Sequence, residues 1–218
     1  MTDPDRRAGR PDGGPACSAI VLAGGRSARF GRDKLAEPLD GRALLDHAIG
    51  AAAGVSGDVV VVVAPGADLV VSLRPGLRVV QDPEAYGGPL VGILAGLEAA
   101  REPIAIVVGG DMPGLRPNVL AILLDRLVAN EAADAVVLDD DGRLRPLPMA
   151  IRVGAATPAA STALDRGARS VHALLDGLRV DVVPAAEWRT IDPAGTTLRD
   201  IDHPDDLRSA GDGGQSWS

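Results

Sequence analysis

The sequence predicts an α/β fold, a Rossmann-like three-layer sandwich around a mainly parallel central sheet. Three observations carry that expectation. Short apolar runs of strand character alternate with segments of helical period along most of the chain. The run at 58–63 contains five consecutive valines, the pattern of a strand buried on both faces. The segment 117–130 opens on Pro117, a residue favoured in the first turn of a helix, and further strand-like runs follow it. Alternation of this kind implies helices on both faces of the sheet. Ligands of such sheets bind beyond the carboxyl ends of the strands, so chemistry is sought just after each strand.

The elements follow in order. Residues 1–16 are expected to form a disordered leader, because 1–15 are charged and rich in Gly and Pro. A first strand spans 18–22 and leads into a glycine-rich loop. A helix covers 44–53, a strand 58–63 and a short strand 78–81. Leu90, Ile93, Leu94 and Leu97 then recur at helical spacing. A buried strand spans 104–108, and the Pro117 helix follows. Strands at 135–138 and 147–152 flank a turn at 139–142. A short helix covers 171–175, a late strand 179–183 and a terminal helix 204–208. Residues 209–218 read as a flexible tail, which leaves one domain at 17–208. No internal repeat is evident.

Composition narrows the function. A chain of 218 residues suits one domain, and 46% apolar content is enough for a sizeable core. Only 2% is aromatic, so Val, Leu, Ile and Ala must build that core. The net charge of −8 argues against a protein that grips a nucleic-acid backbone and favours a small ligand. One cysteine, Cys17, excludes an internal disulfide and a metal site of several thiolates. The N-terminus lacks a signal-peptide core, and no apolar run reaches the ~20 residues a membrane helix needs. The expected location is cytoplasmic, with no membrane partner.

The loop after the first strand carries the strongest signal. It reads Leu22-Ala23-Gly24-Gly25-Arg26-Ser27-Ala28-Arg29-Phe30-Gly31-Arg32-Asp33-Lys34. Glycines let backbone amides approach a phosphate closely. Ser27 can donate a hydrogen bond, Arg29 and Lys34 can neutralise phosphate charge, and Arg26 and Arg32 add to the local field. Lys34 is the single lysine among 22 basic residues. Lysine is a compact point charge and arginine a planar fork, so the exception has chemical meaning. Neither the Walker pattern nor G-x-G-x-x-G is present. The competing reading is an exposed Gly- and Arg-rich loop with no ligand.

This stretch resembles the signature of nucleotidyltransferases of the nucleotide-diphospho-sugar transferase fold. Its form, L-A-G-G-x-S-x-R-x-G-x-D-K, looks most like the molybdenum cofactor guanylyltransferase family. That family has Met where this chain has Phe30. Related cytidylyltransferases tend to have Ala in place of the first glycine, so Gly24 leans toward the guanylyl branch. The similarity extends over roughly residues 18–208 and weakens after residue 140.

Aspartates stand after later strands. Gly109-Gly110-Asp111-Met112-Pro113 follows the strand at 104–108. A carboxylate there suits Mg2+, which takes hard oxygen ligands, usually one or two carboxylates plus substrate phosphates. The alternative is a turn former or cap before Pro117. The resemblance implies the metal role, since its family has Asp-x-Pro at this point. Asp82 lies in Gln81-Asp82-Pro83-Glu84-Ala85-Tyr86-Gly87-Gly88-Pro89-Leu90-Val91-Gly92. By chemistry alone it is equally a turn residue; the resemblance implies a nucleotide contact beside the helix-opening Gly88-Pro89-Leu90. Tyr86 is either a lining of the acceptor site or an exposed loop aromatic. Near the end, Arg199-Asp200-Ile201-Asp202-His203-Pro204-Asp205-Asp206-Leu207 resembles the family's N-x-N-T-P-E-D-L element. Asp200 and Asp202 point to one side of an extended segment. Asp202 is the favoured second metal ligand, and Asp200 then either supports the metal site from outside its ligands or contacts the acceptor. A helix cap by Asp202, with Asp205 and Asp206 favouring the helix dipole, is the compatible alternative.

Two departures touch specificity. Family members often carry Asn at the end of the second strand, where this chain has Val63-Ala64. Their His-Pro-Thr element is replaced by Arg145-Pro146-Leu147-Pro148, where Arg143 and Arg145 can hold an anionic acceptor. His47, His172 and His203 have no metal-site spacing, and His47 and His172 read as ordinary helix residues.

The resemblance therefore implies an enzyme that moves GMP from GTP to the phosphate of molybdopterin and releases pyrophosphate, with Mg2+ as cofactor. Lys34, Arg29 and Asp111 would be catalytic. Leu22, Ala23, Gly24, Gly25, Ser27, Lys34, Asp82, Gly88, Pro89, Leu90 and Asp111 would bind the nucleotide, Asp111 and Asp202 the metal, and Arg145 and Asp200 the acceptor. The expected state is a monomer or weak oligomer that can dock on a molybdoenzyme. The rivals are a sister cytidylyltransferase or sugar-phosphate nucleotidyltransferase, and a non-catalytic nucleotide-binding delivery protein.

Overall fold

The computed structural model describes residues 13–24, 34–67, 76–84, 87–203 and 205–207. Its strands are β1 (Ser18–Ala23), β2 (Pro38–Leu39), β3 (Arg42–Ala43), β4 (Asp58–Val63), β5 (Leu77–Gln81), β6 (Ile104–Gly109), β7 (Ala135–Asp140), β8 (Arg143–Arg152) and β9 (Val180–Val183). Its α-helices are α1 (Leu44–Ala53), α2 (Pro89–Ala99), α3 (Pro117–Ala129), α4 (Val153–Asp165), α5 (Val171–Leu175) and α6 (Ala185–Trp188). One seven-stranded sheet runs in the order β5-β4-β1-β6-β8-β7-β9. Within it β8 alone is antiparallel to its neighbours, so the expected mainly parallel α/β sheet is observed.

Alternation along the strands builds two cores. Ala19 and Val21 of β1, Val59, Val61 and Val63 of β4, and Ile106 and Val108 of β6 face α1, α3 and Trp188. Ile20, Val60, Val62, Ala105 and Val107 face α2, α4 and α5. Every residue of β4 and of β6 is buried, as the valine run demands of a strand covered on both sides. Helices α1 and α5 and strand β4 have the bounds read from the sequence. β8 starts at Arg143, earlier than the reading, and its register against β7 shifts between Val137 and Leu138.

Helix α4, the hairpin β2–β3 and helix α6 are not foreseen from the sequence. Helix α4 contains Pro158, and Val153, Ala156, Ala160, Ala163 and Leu164 line its core face, with only the two small residues Ala156 and Ala160 buried. It exists because those alanines pack in the α2 core. The hairpin β2–β3 turns at Asp40 (φ 50) and Gly41 (φ 77), the left-handed pair that an Asp-Gly dipeptide supplies. Its Leu39 carbonyl lies 2.9 Å from His47 Nε2 on α1, so this buried histidine fastens the hairpin to the helix. Helix α6 is a single turn anchored by Trp188, which is fully buried and donates through Nε1 to the Asp139 carbonyl at 2.8 Å.

Strand order defines the site. From β1 the chain moves outward to β4 and β5, then returns to place β6 on the other side of β1. The reversal opens a crevice beyond the carboxyl ends of β1 and β6, the usual ligand position in open α/β sheets.

Candidate active site

Two strand ends meet at that crevice. Leu22 and Gly109 are register partners, and the Gly110 amide donates to the Leu22 carbonyl at 2.9 Å. The chain then turns so that the Asp111 carboxylate folds back over Gly109. A Cβ on Gly109 would lie 2.6 Å from Asp111 Oδ1, so only glycine leaves that carboxylate its place. Gly110 is nearly as confined, with the Leu22 carbonyl and Leu45 each 3.0 Å from a Cβ built there. The Gly-Gly before Asp111 was visible in the sequence, and its crowding was not.

Lys34 opens the single-turn helix Lys34–Ala36 and points its ammonium into the crevice. Nζ lies 2.9 Å from Asp111 Oδ2 and 3.3 Å from Asp202 Oδ1. Burial works to lower the lysine pKa, but the field and hydrogen bond of Asp111, joined by those of Asp202, reverse this and raise it. The ammonium therefore stays charged through the physiological range. Among the described residues, two carboxylates share this one cation.

Asp202 arrives from far along the chain. The Ile201 amide donates to the Asp111 backbone carbonyl at 3.0 Å, and the Ile201 side chain is buried with Leu39 and Leu44. Alternation then sends Asp200 and Asp202 the same way. Asp202 meets Lys34, while Asp200 is exposed and has no bonded partner among the described residues. Asp206 Oδ2 accepts the amides of Asp202 (2.9 Å) and His203 (2.6 Å), which leaves the Asp202 carboxylate for the crevice.

The remaining candidates lie at other places in the fold. Ala23 and Gly24 continue the β1 end, with Gly24 exposed at the rim. Asp82 closes a turn, its Oδ1 accepting the Glu84 amide at 2.9 Å, and its Oδ2 would be 3.5 Å from a Cβ on Gly92 of α2. Gly88 has φ 91 at the start of α2, and a Cβ there would strike Arg169. Pro89 is exposed, but Leu90 is fully buried and its amide donates to the Arg169 carbonyl at 3.2 Å. The Leu90 side chain thus belongs to the core. Arg145 Nη2 donates to the Leu198 carbonyl at 3.0 Å, so part of its guanidinium holds the segment before Asp200. Gly25, Ser27 and Arg29, with Arg26, Phe30, Arg32 and Tyr86, lie outside the described residues.

A divalent ion fits the donor set on chemical grounds. The oxygens of Asp111 and Asp202 converge on one cation, and no group of three potential ligands occurs among the described residues. Two carboxylates, with the remaining positions left to phosphate and water, match the habit of Mg2+.

The fold is that of the nucleotidyltransferases of the nucleotide-diphospho-sugar transferase type. It superposes on molybdopterin-guanine dinucleotide biosynthesis protein A from Archaeoglobus fulgidus with a TM-score of 0.74 at 23% identity, covering 89% of this chain and 97% of that one. On 2-C-methyl-D-erythritol 4-phosphate cytidylyltransferase from Thermus thermophilus the TM-score is 0.65 at 20% identity, covering 88% and 96%. Within that class the chain belongs to the MobA-like NTP transferase domain family, whose model matches residues 19–180. A probable molybdenum cofactor guanylyltransferase of Chloroflexus aggregans is 32% identical over 88% of this chain and 91% of its own length. The molybdenum cofactor guanylyltransferase of Burkholderia vietnamiensis is 35% identical over 73% and 81%. No helix among the described residues is long and apolar enough to cross a membrane.

Proposed function

We propose that this chain transfers GMP from GTP to the phosphate of molybdopterin, in the cytoplasm, with release of pyrophosphate. The single observation that carries the reading is the convergence of Lys34, Asp111 and Asp202 at the switch point of the sheet. The names of relatives at 32% and 35% identity supply the base and the acceptor.

An acceptor phosphate oxygen attacks the α-phosphorus of GTP. A new P–O bond forms, the bond to the β-phosphate bridging oxygen breaks, and pyrophosphate leaves with the electron pair. A phosphate monoester is largely ionised near neutral pH, so no general base is needed. The chain's task is alignment and charge neutralisation. Lys34, held cationic by its two carboxylates, offers a fixed positive charge to the phosphates. Asp111 and Asp202 would hold Mg2+, which supplies further neutralisation of the charge on the phosphates. Arg145 stands at the segment that carries Asp200, where an anionic acceptor would be met.

A nucleotide panel tests the reading. Purified protein with Mg2+ and molybdopterin is assayed for pyrophosphate and dinucleotide product with GTP, CTP and UTP. GTP is expected to be preferred by at least about tenfold in kcat/KM, a modest requirement for a pocket that reads base hydrogen bonds. Preference for CTP would transfer the protein to the cytidylyl branch. Nucleotide binding without pyrophosphate would make it a delivery protein.

A further inference from the structure

Asp202 reaches Lys34 because the chain between α6 and residue 202 is held in one course across the rim. Asp192 organises that course. It is 2% exposed, its Oδ1 accepts the Thr196 hydroxyl at 2.9 Å, and its Oδ2 accepts the Thr197 amide at 2.7 Å. Its carbonyl accepts the amide of Gly195, whose left-handed φ of 63 makes the reversal. Burial pushes the Asp192 carboxyl toward protonation, but the amides and hydroxyls of Thr197 and Thr196 outweigh this and hold its pKa below the usual range.

The turn is stitched to the loop that carries Asp111. Thr197 Oγ1 accepts the Arg116 amide at 3.2 Å, and Thr196 Oγ1 accepts Arg116 Nε at 3.3 Å. From the other side Arg145 grips the Leu198 carbonyl, and Ile201 closes on the Asp111 carbonyl. No bond of Asp192 goes to Lys34, Asp111 or Asp202.

We propose that Asp192 is a positioning residue for nucleotidyl transfer, fixing the turn at 192–198 so that Asp202 stays on Lys34. The inference rests on the role given to Asp202 above. A buried carboxylate that only stabilised the fold would lower the melting temperature and leave the crevice unchanged.

The test uses full-length Asp192→Asn, Asp202→Asn and the double variant, with two readouts. One is turnover with GTP and molybdopterin. The other is NMR of protein grown on ε-13C-lysine, which gives one lysine signal because the chain has one lysine. Asp192→Asn is expected to move the Lys34 signal toward its position in Asp202→Asn and to lower turnover about tenfold, the scale of outer supporting contacts. In the Asp202→Asn background the same change should cost less than about twofold, because both act through one contact. An unmoved Lys34 signal, unchanged turnover, or losses that multiply in the double variant would overturn the inference. Should Asp192→Asn fail to fold, Thr196→Val runs the same cycle. If Asp202→Asn itself changes neither readout, the role of Asp202 fails and this inference with it. An inert Asp192→Asn beside an impaired Asp202→Asn sinks the inference alone.

Discussion

The two ends of the sheet place aspartate beside a cation in opposite ways. At the amino end Asp58 takes Arg78 on both its oxygens, at 2.7 and 2.9 Å from one guanidinium nitrogen, and the Ser18 hydroxyl at 2.6 Å. Farther along the same rim, Asp134 takes Nε and Nη2 of Arg179 at 2.8 and 2.7 Å. Each carboxylate has its own planar fork, and the charge closes. At the carboxyl end two carboxylates share one ammonium, and they remain partly exposed, Asp111 by 30% and Asp202 by 50%. Arginine forks suit permanent bidentate pairs, whereas a lysine point charge can be handed from carboxylate to phosphate. The difference separates closed structural ion pairs from a pair of partly exposed carboxylates that a ligand can reach.

The sharpest way to break this contrast is to remove one aspartate from each end. Asp111→Ala is expected to cut turnover by about 10³-fold, or about 4 kcal/mol of transition-state stabilisation. Its melting temperature should stay near that of the parent, as calorimetry would check. Asp58→Ala should do the reverse, losing about 3 kcal/mol of folding stability by stranding Arg78. Urea unfolding measures that loss, and turnover per folded molecule should be unchanged. If Asp58→Ala silenced the folded enzyme, the two ends would not be separable.

A subtler change sharpens the carboxyl end. Gly109→Ala inserts a methyl where Asp111 Oδ1 now sits, and should lower turnover about 10- to 100-fold through displacement of that carboxylate. Wild-type turnover in this variant would show that Asp111 works from another position. The smallest expected effect belongs to Asp134. The hydrogen bond from Arg179 holds its carboxyl at about 2, below the ordinary value of 3.8. A folded-state pKa below the unfolded one means stability that is present above about pH 4 and lost as pH falls through 2. Asp134→Asn should therefore cost roughly 1–2 kcal/mol at neutral pH, toward the lower figure because solvent screens the exposed Arg179. The difference from the parent should vanish in acid, as unfolding measured across pH would test.

Much of the fold was legible because burial on two sides writes itself into composition. The valines of β4 and the Pro-led α3 are local signals. Helix α4 is not legible, since Pro158 interrupts the segment and its core face is built mostly of alanine, which gives a weak signal. The Asp-Gly pair of the β2–β3 hairpin was present and went unread. In the site, Lys34 and Asp111 could be found from a lone lysine and from an aspartate after a buried strand. Asp202 is legible, but the reason it arrives is not, because Ile201 and Asp192 look like ordinary loop residues, and Asp206 like a helix-terminus charge, until the chain closes on itself.

The sequence by itself determined which strands are doubly buried, where the glycines lie and which single lysine stands among arginines. These are properties of neighbouring residues, and local sterics and hydrophobic patterning suffice to set them. Tertiary structure alone decided that β6 returns beside β1 and that Ile201 docks on Asp111. Those pairings join segments far apart in the chain, and only the closing of the whole core selects them over other partners of similar pattern.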